Sequence, residues 1–158
     1  MKILFTAFNG KNNSSRILLD KINHKNKLYF KNSFNTSVIQ LEKELKDTQY
    51  DLIVSFGQAP LDIDTIKLET TGKGNIEYKT KYNYISLKNK LDINFKTIIS
   101  NDAGTYLCNN IYFCGLKYIE ENNLKTKMIF IHIPMLNNIS NIEDLSNIFN
   151  CLCNDKEV

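Results

Sequence analysis

Short apolar runs alternate with amphipathic stretches along this 158-residue chain. The apolar runs predict buried strands, because each is only a few residues long and most end at polar turn residues. The predicted strands cover residues 2–8, 28–30, 50–56, 66–69, 96–99 and 128–133. A turn over 71–75 and an alternating stretch over 76–80 predict an exposed hairpin strand.

Four stretches between these runs have helical spacing. Residues 17–22 follow the capping side chains of 12–15, and residues 38–45 follow those of 35–37. A longer helix covers 111–121, with Cys108 in or near its first turn, and a final helix covers 142–151, with Asn141 as its cap. Alternating strands and helices predict an α/β fold: one α/β/α sandwich over 1–158, with a largely parallel twisted sheet flanked by helices.

The charge distribution and the length of the apolar runs argue against two classes of partner, nucleic acids and membranes. The chain is 42% hydrophobic and 11% aromatic, as in globular proteins, and its net charge of +3 comes from lysines spread among acidic residues. This spread argues against a nucleic-acid partner, because binding proteins cluster their basic residues. No apolar run approaches the roughly 20 residues of a membrane span, so we expect no membrane partner and a reducing, cytoplasmic location.

The four cysteines do not have a metal-binding spacing. Cys114, Cys151 and Cys153 are expected to be reduced and structural, and no histidine or cysteine cluster completes a zinc site. Cys108 differs, because it follows a turn at 102–104 and begins a helix whose positive end favours the thiolate. The alternative is a small core residue, since free cysteine is often buried.

Two further groups complete a candidate catalytic set. In open α/β sheets, sites form at the carboxyl ends of strands, and Glu69, Cys108 and His132 all follow or end predicted strands. A nucleophile, a base and an orienting carboxylate are what acyl transfer requires. A hydrogen-bonded core histidine is the alternative for His132, whereas His24 lies in a polar turn and is expected to face solvent.

Two motifs resemble those of the pyroglutamyl-peptidase I family, a group of cysteine exopeptidases. Residues 100–109, SNDAGTYLCN, resemble the family pattern S-N-x-A-G-T-[YF]-x-C-N, and residues 130–134, FIHIP, resemble F-I-H-[IV]-P. Weaker similarity lies at 2–8, 13–15 and 57–59. The order and interval of the two main motifs are also those of the family.

The resemblance implies roles by position. Cys108 would be the nucleophile, His132 the general base and later the acid, and Glu69 the orienting carboxylate. Glu69 aligns with the family's I-T-x-E-R only with one inserted residue, so Glu77 and Asp64 remain alternatives. The residues expected to bind substrate are Phe8, Gln58 and Leu107.

The implied function is removal of an N-terminal pyroglutamyl group from a small peptide substrate through a thioester, without a metal or organic cofactor. The chain departs from the family pattern in four places. The opening loop is shortened to residues 7–10, and residues 60–62 replace the family's G-G-R. Thr70 stands where the family has an arginine after the glutamate, and the loop that follows is much shorter. A binding or scaffold protein with impaired catalysis is therefore the alternative. A hydrolase of another small amide is a third reading, and a homo-oligomer stays open.

Overall fold

The structure, a computed structural model, describes residues 1–152, so Cys153 lies outside the described residues. The strands are β1 (Ile3–Phe8), β2 (Lys27–Phe30), β3 (Leu52–Ala59), β4 (Thr65–Glu69), β5 (Thr71–Lys73), β6 (Glu77–Lys79), β7 (Lys96–Ser100) and β8 (Lys127–Pro134). The α-helices are α1 (Ser14–Lys21), α2 (Phe34–Asp47), α3 (Ile85–Leu91), α4 (Leu107–Glu121) and α5 (Ile142–Leu152). None of the helices within this part of the chain is long and apolar enough to cross a bilayer.

Six strands form one sheet in the order β2-β1-β3-β8-β4-β7. Strands β2, β1, β3 and β8 run parallel, whereas β4 runs antiparallel to β8 and carries β7 parallel to itself. The largely parallel α/β sandwich is confirmed. Because β4 and β7 run opposite to β8, the carboxyl ends of these strands do not share one edge of the sheet. The expectation that Glu69 and His132 both lie at one carboxyl edge is therefore wrong, and the two residues are neighbours across adjacent antiparallel strands instead.

Alternating side chains divide the core between the two faces of the sheet. One face packs on α1, α3 and α5, with a core that includes Phe5, Leu18, Val54, Phe56, Leu87, Ile129, Ile131 and Phe149. The other face packs on α2 and α4, with a core that includes Leu4, Phe8, Leu41, Ile53, Ile111, Tyr112, Met128 and Phe130. The strands are apolar throughout because both of their faces are covered.

Helix ends follow their capping side chains, with one difference from the sequence prediction. Asn13 caps α1 by accepting from Ser15 N at 2.9 Å, and Asn141 accepts from the first turn of α5. The cap of α2 is Ser33, whose Oγ accepts from Thr36 N at 3.2 Å, so this helix begins before the expected 35–37 cap.

Two further features differ from the sequence pattern. Helix α3 was not predicted, because only Leu87 and Leu91 bury an apolar side in a short lysine-rich segment. Strand β3 continues through Gly57 to Ala59, because β8 pairs with it along its whole length.

The hairpin of β5 and β6 lies on α4 rather than in the main sheet. A Cβ atom at Gly72 would come 2.7 Å from Phe113 Cα and 2.8 Å from Phe113 N. Glycine thus allows the backbone of β5 to contact the helix backbone directly.

We expect Gly72→Ala to destabilise the fold by about 1–3 kcal/mol, because its new methyl would overlap helix backbone that cannot move independently. Gly74→Ala is the matched control, since the three atoms nearest its Cβ would all belong to the ring of Phe113, a side chain that can rotate. Urea unfolding measures both variants, and equal stability of Gly72→Ala and wild type would contradict this close packing.

Candidate active site

A buried hydrogen bond joins two of the candidate groups. His132 Nδ1 lies 2.8 Å from Glu69 Oε1, where the imidazole donates to the carboxylate. Glu69 has no exposed surface and His132 is 7% exposed, so water screens this contact little. Donation from Nδ1 leaves Nε2 as the ring nitrogen that can accept a proton.

The register of β4 and β8 explains how Glu69 reaches His132. Glu69 pairs directly with Phe130, two residues before His132, and these three side chains lie on the α4 face of the sheet. Diagonal neighbours of this kind are within reach of long side chains. Tyr112 Oη on α4 also donates to the backbone oxygen of Glu69 at 2.8 Å.

Cys108 lies on the same face of the sheet, at the start of α4. It is the second residue of α4, and a Cβ at Gly57 would come within 2.6 Å of Cys108 Sγ. Gly57 is the register partner of His132 in the adjacent parallel strand, and adjacent strands lie about 4.8 Å apart. The sulfur therefore lies over the strand next to His132, on the face to which the imidazole points.

Burial governs the protonation of Cys108. Desolvation, and then the negative charge of Glu69, raise its pKa to about 12, while its own backbone N–H lowers it by a smaller amount. The expectation that the helix terminus would favour a thiolate is therefore wrong, because burial raises the pKa of Cys108 by more than the helix terminus lowers it. A base must take the proton when Cys108 attacks.

One cleft of about 200 Å³ contains Cys108 and all three residues expected to bind substrate. Its lining is Phe8, Asn13, Asn32, Gly57, Gln58, Tyr106, Leu107 and Cys108. The Oε1 atom of Gln58 accepts from Ser14 N at 3.0 Å, which orients the amide toward α1. Phe8 is buried against Phe30, with ring centroids 5.4 Å apart, and provides an apolar wall.

The alternative carboxylates lie elsewhere. Asp64 accepts from the backbone N and the hydroxyl of Ser140, at 2.8 and 2.6 Å, and Glu77 is exposed on β6. His24 is partly exposed, and its ring packs edge-on against Phe5 on the opposite face of the sheet.

Sequence reasoning missed several residues of this region. The sequence pattern places Gly57 at the end of a strand, although glycine inside a strand often marks a close backbone approach. The sequence presents Tyr106 only within its motif, and Asn13 as a helix cap and within the weaker similarity at 13–15. No pattern pointed to Asn32, which reaches the cleft through folding alone. Across residues 1–152, no group of three His, Cys, Asp or Glu side chains is arranged to hold a metal ion.

Comparison with known proteins points to one family. A family model described as pyroglutamyl peptidase matches residues 87–158. A pyrrolidone-carboxylate peptidase of Thermoanaerobacter sp. is 30% identical over 169 residues, which cover 86% of this chain and 83% of that protein. The chain belongs to the pyroglutamyl peptidase family. Pyrrolidone-carboxylate peptidase 1 of Caldanaerobacter subterraneus is 29% identical over the same shares of the two chains.

Solved structures show that the fold of the pyroglutamyl peptidase family is retained. The pyrrolidone carboxyl peptidase of Fervidobacterium islandicum superposes with a TM-score of 0.83 at 18% identity, covering 96% of this chain and 95% of that one. The enzyme of Thermococcus litoralis gives 0.79 at 19% identity, covering 98% and 92%. The family expected from the two sequence motifs is confirmed by the family model and the relatives in sequence, and the solved structures confirm the fold.

We expect the alkylation of Cys108 by iodoacetamide to keep rising with pH through pH 9, because its raised pKa keeps the thiol protonated. Mass spectrometry of the modified peptide measures the rate, and exposed Cys151 is the internal reference. A plateau below about pH 7 would instead indicate a preformed thiolate.

The raised pKa of Cys108 also makes the stability of the folded protein depend on pH. A pKa raised by folding favours the folded state fully below the ordinary thiol pKa of about 8.5, and this contribution is lost as the pH rises toward 12. Circular dichroism across the same pH range therefore controls for unfolding.

Proposed function

We propose that this protein is a cysteine exopeptidase that removes an N-terminal pyroglutamyl group from peptides. The observation that carries the proposal is the Glu69–His132 pair, which lies on the same sheet face as Cys108 and beside the strand that Cys108 Sγ contacts. Family membership supports the same chemistry, because the related proteins are named pyrrolidone-carboxylate peptidases.

In the proposed reaction, His132 Nε2 takes the thiol proton as Cys108 Sγ forms a bond to the pyroglutamyl carbonyl carbon. The proton then passes to the leaving amine as the C–N bond breaks, which leaves a thioester. Water activated by His132 hydrolyses the thioester and restores the thiol. Glu69 stabilises the imidazolium that forms in each step, a role that suits a buried carboxylate at 2.8 Å.

The start of α4 supports stabilisation of the oxyanion. The N-cap residue of this helix, Tyr106, makes no side-chain capping bond, unlike Asn13 at α1 and Ser33 at α2. First-turn N–H groups have no partner inside the helix, so those beside Cys108 can donate to the negative oxygen of a tetrahedral intermediate.

The cleft suits a small lactam. Its volume of about 200 Å³ is below the range of drug-sized pockets. Phe8 and Leu107 would pack on the five-membered ring, and the Gln58 amide, held by Ser14, would bind its polar edge. These substrate contacts, the reducing cytoplasmic location and self-association remain predictions.

We expect the wild-type protein to release a fluorescent amine from its pyroglutamyl amide, and Cys108→Ala to reduce kcat by at least about 10³-fold. Cys114→Ala is the matched control, because it removes a free thiol from the other side of the same helix. Activity of Cys108→Ala within tenfold of wild type would overturn the mechanism. A folded wild-type protein that releases no amine would favour the impaired binding or scaffold alternative.

We expect Glu69→Gln to lower kcat by about 10²–10⁴-fold, because a neutral amide neither stabilises the imidazolium nor fixes the correct tautomer. Glu77→Gln changes the same side chain at an exposed position and is expected to retain wild-type kcat. Steady-state kinetics of both variants measures the contrast. Equal activity of the two variants would remove Glu69 from the catalytic set.

A further inference from the structure

Helix α4 carries the nucleophile, yet its first turn has no side-chain cap to hold it in place. The residue after Cys108 makes a different connection. Asn109 Oδ1 accepts from Lys73 N at 2.9 Å, and Asn109 Nδ2 donates to Lys73 O at 2.7 Å. One side-chain amide thus bonds both backbone groups of a residue in β5, as a neighbouring strand would.

A second contact lies three residues further along α4, on the same side of the helix. Tyr112 is fully buried, and its hydroxyl donates to the backbone oxygen of Glu69 at 2.8 Å. Between the two contacts, Gly72 allows β5 to pack on the helix backbone. Helix α4 is therefore bonded to both ends of the segment 69–73, which begins with the proposed catalytic carboxylate.

We propose that Asn109 is a positioning residue that sets the distance between Cys108 Sγ and the Glu69–His132 pair. The inference rests on the proposed function. Strand β5 pairs with β6, outside the six-stranded sheet that holds Glu69, so no hydrogen bond of the main sheet fixes β5 against α4. The contact of Cys108 Sγ with Gly57 leaves little space for adjustment, because the sulfur already lies against the backbone of β3.

A purely structural role for Asn109 makes a different prediction. If it only anchored the hairpin, its loss would lower the melting temperature while each folded molecule kept its kcat. If it positions the nucleophile, kcat falls in folded protein and KM stays near the wild-type value, since the cleft residues are untouched. Misplacement of a reacting group by about 1 Å costs on the order of 10²-fold.

The experiment compares Asn109→Ala with Asn110→Ala, a neighbouring asparagine on the same helix whose Nδ2 donates to Phe34 O instead, at 3.2 Å. Hydrolysis of a pyroglutamyl amide gives kcat and KM, circular dichroism confirms folding, and hydrogen exchange at the Lys73 amide reports the contact directly. We expect Asn109→Ala to lose ten- to hundredfold in kcat, with KM within twofold and faster exchange at Lys73. Asn110→Ala should match wild type in all three.

Tyr112→Phe provides a variant that keeps the buried ring and removes only the hydroxyl. We expect it to lower kcat as well, with the Lys73 amide still protected. If the wild-type protein hydrolyses the amide and folded Asn109→Ala has the same kcat, the inference is overturned while the proposed function is not. Absence of wild-type turnover would overturn the proposed function, and the inference with it, so the two failures are distinguishable.

Discussion

The site depends on the contact between a fully buried carboxylate and an imidazole. A buried charge is costly unless it is paired and hydrogen-bonded, and Glu69 meets that condition with one of its two oxygens: Oε1 accepts from His132 Nδ1 at 2.8 Å, whereas the buried Oε2 has no hydrogen-bond partner among the described residues. The pairing requires β4 to run antiparallel to β8, because only that register brings Glu69 opposite Phe130 and diagonal to His132. The antiparallel strand in a largely parallel sheet is thus the feature that gives His132 its partner.

The same arrangement constrains the thiol. Because Glu69 is buried, its charge and the surrounding apolar core both raise the pKa of Cys108 to about 12, which opposes the effect of the helix terminus. The carboxylate that assists His132 therefore also disfavours a resting thiolate. The two effects are compatible if the proton moves only during attack, when the new imidazolium is stabilised by Glu69 and the sulfur charge passes to the substrate.

Much of the fold follows from local pattern. Strands β1 and β8 are apolar runs bounded by polar or proline residues, and α5 has the cap that Asn141 predicts. Helix α3 could not be recognised, since two leucines in a polar segment do not distinguish a short helix from a loop. The direction of β4 was also hidden, because strand direction is set by long-range pairing. Cys108 and His132 are identified by their positions at a helix start and in a strand and by the two motifs, whereas the contact of Asn109 with Lys73 joins positions that no local pattern connects.

The shortened loops and the retained site lie on different parts of the structure. Glu69 and His132 come from central strands, and Cys108 comes from a helix packed on them, so all three are held by the core. The cleft walls near Phe8 and Gln58 instead continue into loops that are shorter than the family pattern. Loop loss therefore changes which groups beyond the lactam ring contact the protein. The chemistry, which requires only the core-held residues and the start of α4, is expected to tolerate it.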